Sequence, residues 1–314
     1  MSEAISICYK KKVNNGKFDT AKALADRLIE MLDKGVSPWH KSWNCGGLGL
    51  PRSSTGRVYR GLNVFILGLM GYKNPYWLTF RKAKELGGNV KKGEKGCPVM
   101  YWSRREFEVK DKDGNVVIGK DGKPEKRSAM LIRGYTVFNA EQCEGLPDKF
   151  YPKPPKGSEN KVAPHKGAEN IWAGYKDAPK VTHGWAGCSY SPVGDEIRMP
   201  HKKAFDSIEE YWAALFHEGC HSTGHETRLG RKFGSHFGSE PYAKEELIAE
   251  MGAQILCQNC GITRTLENAA AYCKSWASAI RSMPDYGKAI VCAAAQAQKA
   301  ADWIMGIKYD EKED

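Results

Sequence analysis

The sequence predicts an α+β fold divided into two domains, and three observations carry that reading. Charge is uneven: residues 1–150 hold 28 Lys+Arg against 16 Asp+Glu, whereas the rest of the 314-residue chain holds 20 against 21. The stretch FYPKPPKGSENKVAPHKGA, residues 150–168, is rich in Pro, Lys and Gly without periodicity and falls where the balance changes. Strand and turn patterns prevail before it and helical spacing after it. The expected division is a basic α+β domain over 1–150, a linker over 151–168 and a metal-binding domain over 169–314.

Taken in order, residues 19–34 (DTAKALADRLIEMLDK) place Ala, Leu, Ile and Met at helical spacing and stop at Gly35. A loop rich in Gly, Pro and Ser leads from Ser37 into the apolar segment ending near residue 69. YWLTFRKAKELG, residues 76–87, reads as one short helix. VKKGEKGCPVMYW turns through Gly93 and Gly96 into a strand. Two Asp-Gly turns, at 113–114 and 121–122, join strands across EFEVKDKDGNVVIGKDGKPEKRSAMLIRGYTVFN. Beyond the linker, CSYSPVGDEIRMP reads as a short hairpin or edge strand. Ser207 with Glu210 three residues on forms a capping-box pattern that opens a helix through YWAALFHEGCHSTGH. A second helix is expected over KEELIAEMGAQILCQ, and a long one over 286–305.

Composition excludes several classes. Apolar content of 41% and charged content of 27% describe a soluble globular chain. No run of eighteen apolar residues exists, so no membrane partner is expected. The opening MSEAISICYKKKVNNGKFDTA lacks the apolar region of a signal peptide. With no export signal, the ten scattered cysteines read as reduced thiols of a cytoplasmic protein. Cys257 and Cys260 form a CxxC without a second pair, which reads as buried structure rather than a metal ribbon.

The densest chemistry lies at FHEGCHSTGHE, where residues 217–226 hold three of the eight histidines and two glutamates. On a helix His217 and His221 are one turn apart and project from one face, so both imidazoles can reach one ion. Glu218 sits about 100° round from His217, beside the ion without ligating it, where it can deprotonate a water. A catalytic zinc takes a third protein ligand and keeps one position open. Position 227, where one class of such sites carries a third His, is Thr, and His225 reads as a helix-end residue. KEELIAE supplies Glu246 and Glu250 one turn apart. Glu246 is the favoured ligand and Glu250 its support on a histidine, the reverse remaining open, and Glu245 is expected to point elsewhere. Gly219 is poor helix material, costing about 1 kcal/mol against Ala, and marks a place where something approaches closely. Zn²⁺ is the expected ion, with Mn²⁺ the alternative.

In the basic half, SPWHKSW, GRVYRGLN, YWLTFRK and VKKGEKG interleave aromatics with Arg and Lys. Single-stranded nucleic acid is bound this way, cations tracking the backbone while bases stack on rings. Trp39, Trp43, Tyr59 and Trp77 are candidate stackers, with Trp77 the one most suited to the core. Arg57, Arg60, Arg81, Lys91, Lys92 and Lys95 are candidate phosphate contacts.

Both halves then resemble the ArdC-type antirestriction proteins. The first resembles their single-stranded-DNA-binding domain, found also in some conjugative primases, through the Gly35–Trp43 stretch, PRSSTGRVYRGLN, YWLTFRKAKELGGNVKKGEKG and VFNAEQCEGL. The second resembles their zincin-like metallopeptidase domain, through DEIRMP, YWAALFHEGCHSTGH, RLGR, FGSEPYAKEELIAEMGA and the Ala-rich final helix. The resemblance runs over roughly residues 18–306. It implies a mobile-element protein that binds single-stranded DNA and shields incoming DNA from restriction, with a host restriction-system protein as a further partner. By position it implies His217, His221 and Glu246 as ligands and Glu218 as catalytic glutamate. Gly219, Cys220 and Ser222 depart from the residues common there.

Overall fold

The computed structural model describes residues 20–33, 50–109, 111–119, 122–152, 164–231, 240–262, 277–278, 280–283 and 285–307. The first half is built on a long antiparallel ribbon of β4 (Cys97–Glu108) and β5 (Lys126–Asn139), in which Val99 faces Tyr135 and Tyr101 faces Arg133. β2 (Tyr76–Thr79) pairs with the end of β5, Leu78 opposite Phe138, and β1 (Arg52–Ser53) lies parallel to β2. The resulting sheet has the order β1-β2-β5-β4. A separate two-stranded sheet pairs β3 (Asn89–Val90) with β6 (Cys143–Glu144). Helix α1 (Thr20–Asp33) precedes this sheet, and the apolar segment near residue 65 is helix α2 (Leu62–Leu69). Val64, Phe65, Ile66 and Leu67 are all buried, as a helix apolar all round requires.

Residues 76–87, expected as one helix, are instead strand β2 followed by helix α3 (Phe80–Glu85). Trp77 and Leu78 point to opposite faces of the strand and enter different cores, Trp77 the main one and Leu78 a smaller cluster with Ala83, Val90 and Phe150. A strand buried on both faces shows no alternation and so imitates an apolar helical turn. Thr79 ends it: its hydroxyl accepts from the Lys82 amide at 3.1 Å and caps α3.

The second half opens with α4 (Pro164–Ala173), which begins inside the stretch read as linker. The hairpin read at 188–200 is β8 (Ser189–Ser191) with β9 (Glu196–Met199), and β7 (Lys180–His183) adds a parallel strand on the other side of β9. Helix α5 (Ile208–Ser222) starts where Ser207 Oγ accepts from the Glu210 amide at 3.1 Å. It packs on α6 (Glu240–Cys260), which in turn packs on the final helix α7 (Tyr286–Ile304). Ala293, Ala294, Ala297, Ala300 and Ala301 make α7 slim enough for close neighbours while keeping the strongest helix propensity.

The main core is continuous across the chain. α1 packs on α7, so Leu24, Leu28 and Leu32 share a cluster with Ile290, Ala294 and Ala297. Polar ties run the same way: Arg60 pairs with Asp302, Arg281 with Asp33, and the Gly61 amide donates to Gln298 Oε1 at 3.1 Å. The cysteines among the described residues are all free thiols, Cys257 buried and Cys260 half-buried. No helix among these residues is long and apolar enough to cross a membrane.

Candidate functional site

Helix α5 sets out the histidines, and its irregular Gly219 has a packing cause. A Cβ at Gly219 would stand 2.8 Å from the Trp172 ring of α4. The close approach is thus an indole on the core side of α5, and the glycine lets α4 seat against the helix. Glu218 is buried, whereas His217 and His221 are half-buried and turn toward α6. α5 ends at Ser222, so His225 lies in the turn beyond it, where its Nδ1 meets Thr227 Oγ1 at 2.8 Å, outside the cluster.

His217 Nε2 and His221 Nε2 face each other at 3.1 Å. The Glu246 carboxylate faces both, 3.6 Å from the first and 3.5 Å from the second. One donor atom from each of His217, His221 and Glu246 falls within 4.8 Å of the others. Behind this trio, Glu250 Oε2 sits 3.1 Å from His217 Nδ1.

Glu245 does not point elsewhere, as the sequence reading had it: its carboxylate stands 3.5 Å from His221 Nδ1. Arg231 holds Glu245 at 2.7 Å and also donates to Thr223 Oγ1 and the Cys220 carbonyl, each at 2.7 Å, tying α6 to the end of α5. Residues three and four apart share a helix face, so Tyr242 brings Glu245 and Glu246 together with it, and Glu250 follows one turn on. Tyr242, unread in the sequence, hydrogen-bonds Glu246. Burial and that carboxylate push its phenol up to about 12.

The electrostatics call for a cation. Were both rings neutral, with each Nδ1–H directed at a carboxylate, the two Nε2 lone pairs would oppose each other beside an anionic Glu246, so a proton or a metal ion belongs between them. Burial opposes a charged His217, yet Glu246 and Glu250 outweigh it and carry its pKa up to about 10. Burial likewise pulls down on His221, and Glu245 and Glu246 raise it overall. Burial acts to raise Glu246, but the two histidines hold it well below the usual carboxylate range. Glu218 moves the other way, raised chiefly by burial, with His217, His221 and the Tyr190 amide of β8 giving only partial relief. Two imidazole nitrogens and a carboxylate oxygen are the donor set of a three-ligand site with one position left for water or substrate, and the residues fit a divalent ion of that class.

The expected strand-binding residues separate into groups. Trp39 and Trp43 lie outside the described residues. Trp77 is buried, and Tyr59 is partly buried against the main core. Arg60 is engaged with Asp302. Arg57, Lys92 and Lys95 are exposed. Lys91 Nζ donates to the Glu141 carbonyl at 2.9 Å, and Arg81 pairs with Glu85 at 2.8 Å on the surface. Rings that the sequence reading missed are exposed instead. Phe80, 47% exposed, carries Lys84 Nζ 5.1 Å from its centroid. Tyr101 and Tyr135 meet edge to face beside Arg133 on one side of the ribbon. Alternation along β4 and β5 was the available signal, because residues two apart share a face.

Fold and site together define a zincin-like metallopeptidase domain attached to a basic α+β domain. Residues 168–296 match the family described as zincin-like metallopeptidase, and residues 18–138 match the N-terminal domain of anti-restriction factor ArdC. The antirestriction ArdC protein of plasmid R388 has been solved metal-free and with Mn(II). The metal-free form is 35% identical, covers 91% of this chain and 97% of its own, and superposes with a TM-score of 0.68. The Mn(II)-bound form gives 34% identity over the same shares with the same TM-score. This chain belongs to the ArdC antirestriction family.

Among curated proteins, an Escherichia coli DNA primase, TraC, is 36% identical over 298 residues, 92% of this chain. The chain spans only 27% of that primase's length. An uncharacterised Sinorhizobium fredii protein, y4eC, is 28% identical over 93% of each chain.

Proposed function

We propose that the chain is a single-stranded-DNA-binding antirestriction protein of a mobile element, with a divalent ion held by His217, His221 and Glu246. The observation that carries the metal is the pair of opposed Nε2 atoms fronted by Glu246. Zinc suits the donor set, and the manganese of the R388 relative makes Mn²⁺ the alternative. The family supports the antirestriction role, and the exposed Arg57, Arg81, Lys91, Lys92 and Lys95 supply the cations for a strand.

A bound ion supplies Lewis acidity, polarising a carbonyl and acidifying water. Glu250 and Glu245 fix the tautomers of His217 and His221 by accepting from Nδ1, and Tyr242 steadies Glu246. Glu218, whose pKa burial raises above the usual carboxylate range, accepts a proton at its carboxylate and returns it to a leaving group. That placement favours a second reading, a DNA-recruited metallopeptidase whose substrate is a host restriction-system protein.

The test is plasmid transfer into restricting and non-restricting hosts, run beside oligonucleotide binding as salt rises. The proposal expects protection in the restricting host only, and single-strand affinity that falls steeply with salt. No protection, or a flat salt response, contradicts it. In a Glu218→Ala chain, lost protection with normal strand binding favours the peptidase, and retained protection assigns the metal to structure.

A further inference from the structure

The second half has no net positive charge, yet one of its faces gathers cations around an exposed ring. β7 ends at His183 and turns through Gly184 and Trp185, while β9 ends at Met199 and runs into His201, Lys202 and Lys203. The Gly184 and Trp185 amides both donate to the Met199 carbonyl, at 3.0 and 3.2 Å, lacing the two segments together. Gly184 has φ 102, and a Cβ there would stand 3.4 Å from His201 Nε2, so the turn needs glycine.

The groups on this face are held in place. His183 and His201 stack at 6.5 Å with 14° between their planes, and His183 Nε2 lies 3.0 Å from the Tyr211 hydroxyl of α5. Lys202 Nζ sits 5.0 Å from the Tyr211 ring centroid. An open pocket of about 430 Å³ lies among His183, His201, Lys202 and Lys203. Beside it Trp185 is 46% exposed, its Nε1 donating to Thr182 Oγ1 at 3.0 Å, with the Arg198 guanidinium 4.4 Å from its ring centroid. Glu196 neutralises Arg198, but among the described residues no carboxylate pairs with Lys202 or Lys203.

We propose that this face is a second contact for single-stranded nucleic acid, Lys202 and Lys203 meeting backbone phosphates and Trp185 stacking a base. The proposal rests on the reading of the chain as a single-strand binder and adds a contact in the metal-bearing half. Tyr211 and Glu218 are seven residues apart on α5, hence on one side of the helix and about 10 Å apart along it. The strand contact therefore stands two helical turns from Glu218. An acidic peptide would need only the cations; an indole fixed in its plane, with a guanidinium on it and half its surface open, is what a base requires.

The full chain, its Lys202→Gln/Lys203→Gln variant and its Trp185→Ala variant are titrated with fluorescent oligo(dT) at several salt concentrations. The double variant loses about 1.4 from the log–log salt slope, two contacts at about 0.7 each. Trp185→Ala binds roughly 5- to 150-fold more weakly with the slope unchanged. Wild-type chain that does not bind oligo(dT) defeats the single-strand reading itself. Wild-type binding matched by both variants overturns this proposal alone, as does a poly-Glu peptide that binds wild type and is lost in the double variant while oligo(dT) is not. Photo-crosslinking of iodouridine-substituted oligonucleotide to the wild-type chain decides the matter without substitutions. A crosslink at Trp185 supports the contact, and crosslinks confined to residues 1–150 overturn it.

Discussion

His217 Nε2 lies 3.1 Å from His221 Nε2, each ring backed at Nδ1 by its own glutamate, Glu250 behind the first and Glu245 behind the second. One helical turn brings the rings together, and two carboxylates on the facing helix fix which nitrogen looks inward. With both rings neutral the inward lone pairs repel at that distance, so a cation must lie between them: a proton on His217 in the metal-free chain, or a metal ion that displaces it.

Glu218 takes no part in that grip, and substitution should separate chemistry from binding. Glu218→Gln is expected to keep full metal content by elemental analysis while lowering any hydrolytic activity by about 10²–10⁴-fold. A variant with lost metal would place Glu218 among the ligands.

Proton and metal compete for the histidines. In the metal-free chain His217 titrates near 10 rather than 6.5, so between those values the folded state holds a proton that the unfolded state lacks. Its contribution to stability is complete below pH 6.5 and disappears as pH rises toward 10. Metal uptake displaces this proton, and affinity should rise about tenfold per pH unit between pH 7 and 9. Calorimetric titration in buffers of different ionisation enthalpy would show about one proton released per ion; a pH-independent affinity contradicts the scheme.

Gly219 and Trp172 form a tight helix crossing. Gly219→Val should destabilise the chain by about 1–3 kcal/mol, as overpacking does, read as a lower denaturation midpoint. In a Trp172→Ala background the same substitution should cost less. Equal costs in both backgrounds would show that the indole is not the obstacle.

Arg60 and the Lys92–Lys95 turn divide stability from strand binding. Arg60→Ala leaves Asp302 buried without its cation, an expected loss of roughly 1–3 kcal/mol seen as a lower thermal midpoint with the salt slope of oligo(dT) binding unchanged. Lys92→Gln/Lys95→Gln should lower the slope by about 1.4 and leave the midpoint alone. The opposite pattern would make Arg60 the strand contact.

What could be read from the residues depended on whether the determining interaction was local. The Ser207 cap and the one-turn spacings of His217/His221 and Glu246/Glu250 act within a single helix, so they were visible in order. Strand β2 was hidden because Trp77 and Leu78 enter different cores, and β7 because its partner β9 (Glu196–Met199) comes only after the intervening strand β8. Glu245 was misjudged because its partner Arg231 stands fourteen residues away, in the segment that follows α5. Apolar spacing showed that α1 buries a face, but not that the face meets α7. The charge split shows composition, and the Arg60–Asp302 tie shows how the differently charged halves are joined.

The most direct measurement is a calorimetric titration of the metal-free chain with Zn²⁺ and Mn²⁺, repeated on His217→Ala, His221→Ala and Glu246→Ala. The account predicts one ion per chain, and binding weakened at least 100-fold in each variant while the fold persists by circular dichroism. A chain that takes up no ion, or a His217→Ala variant that binds as wild type does, would contradict it.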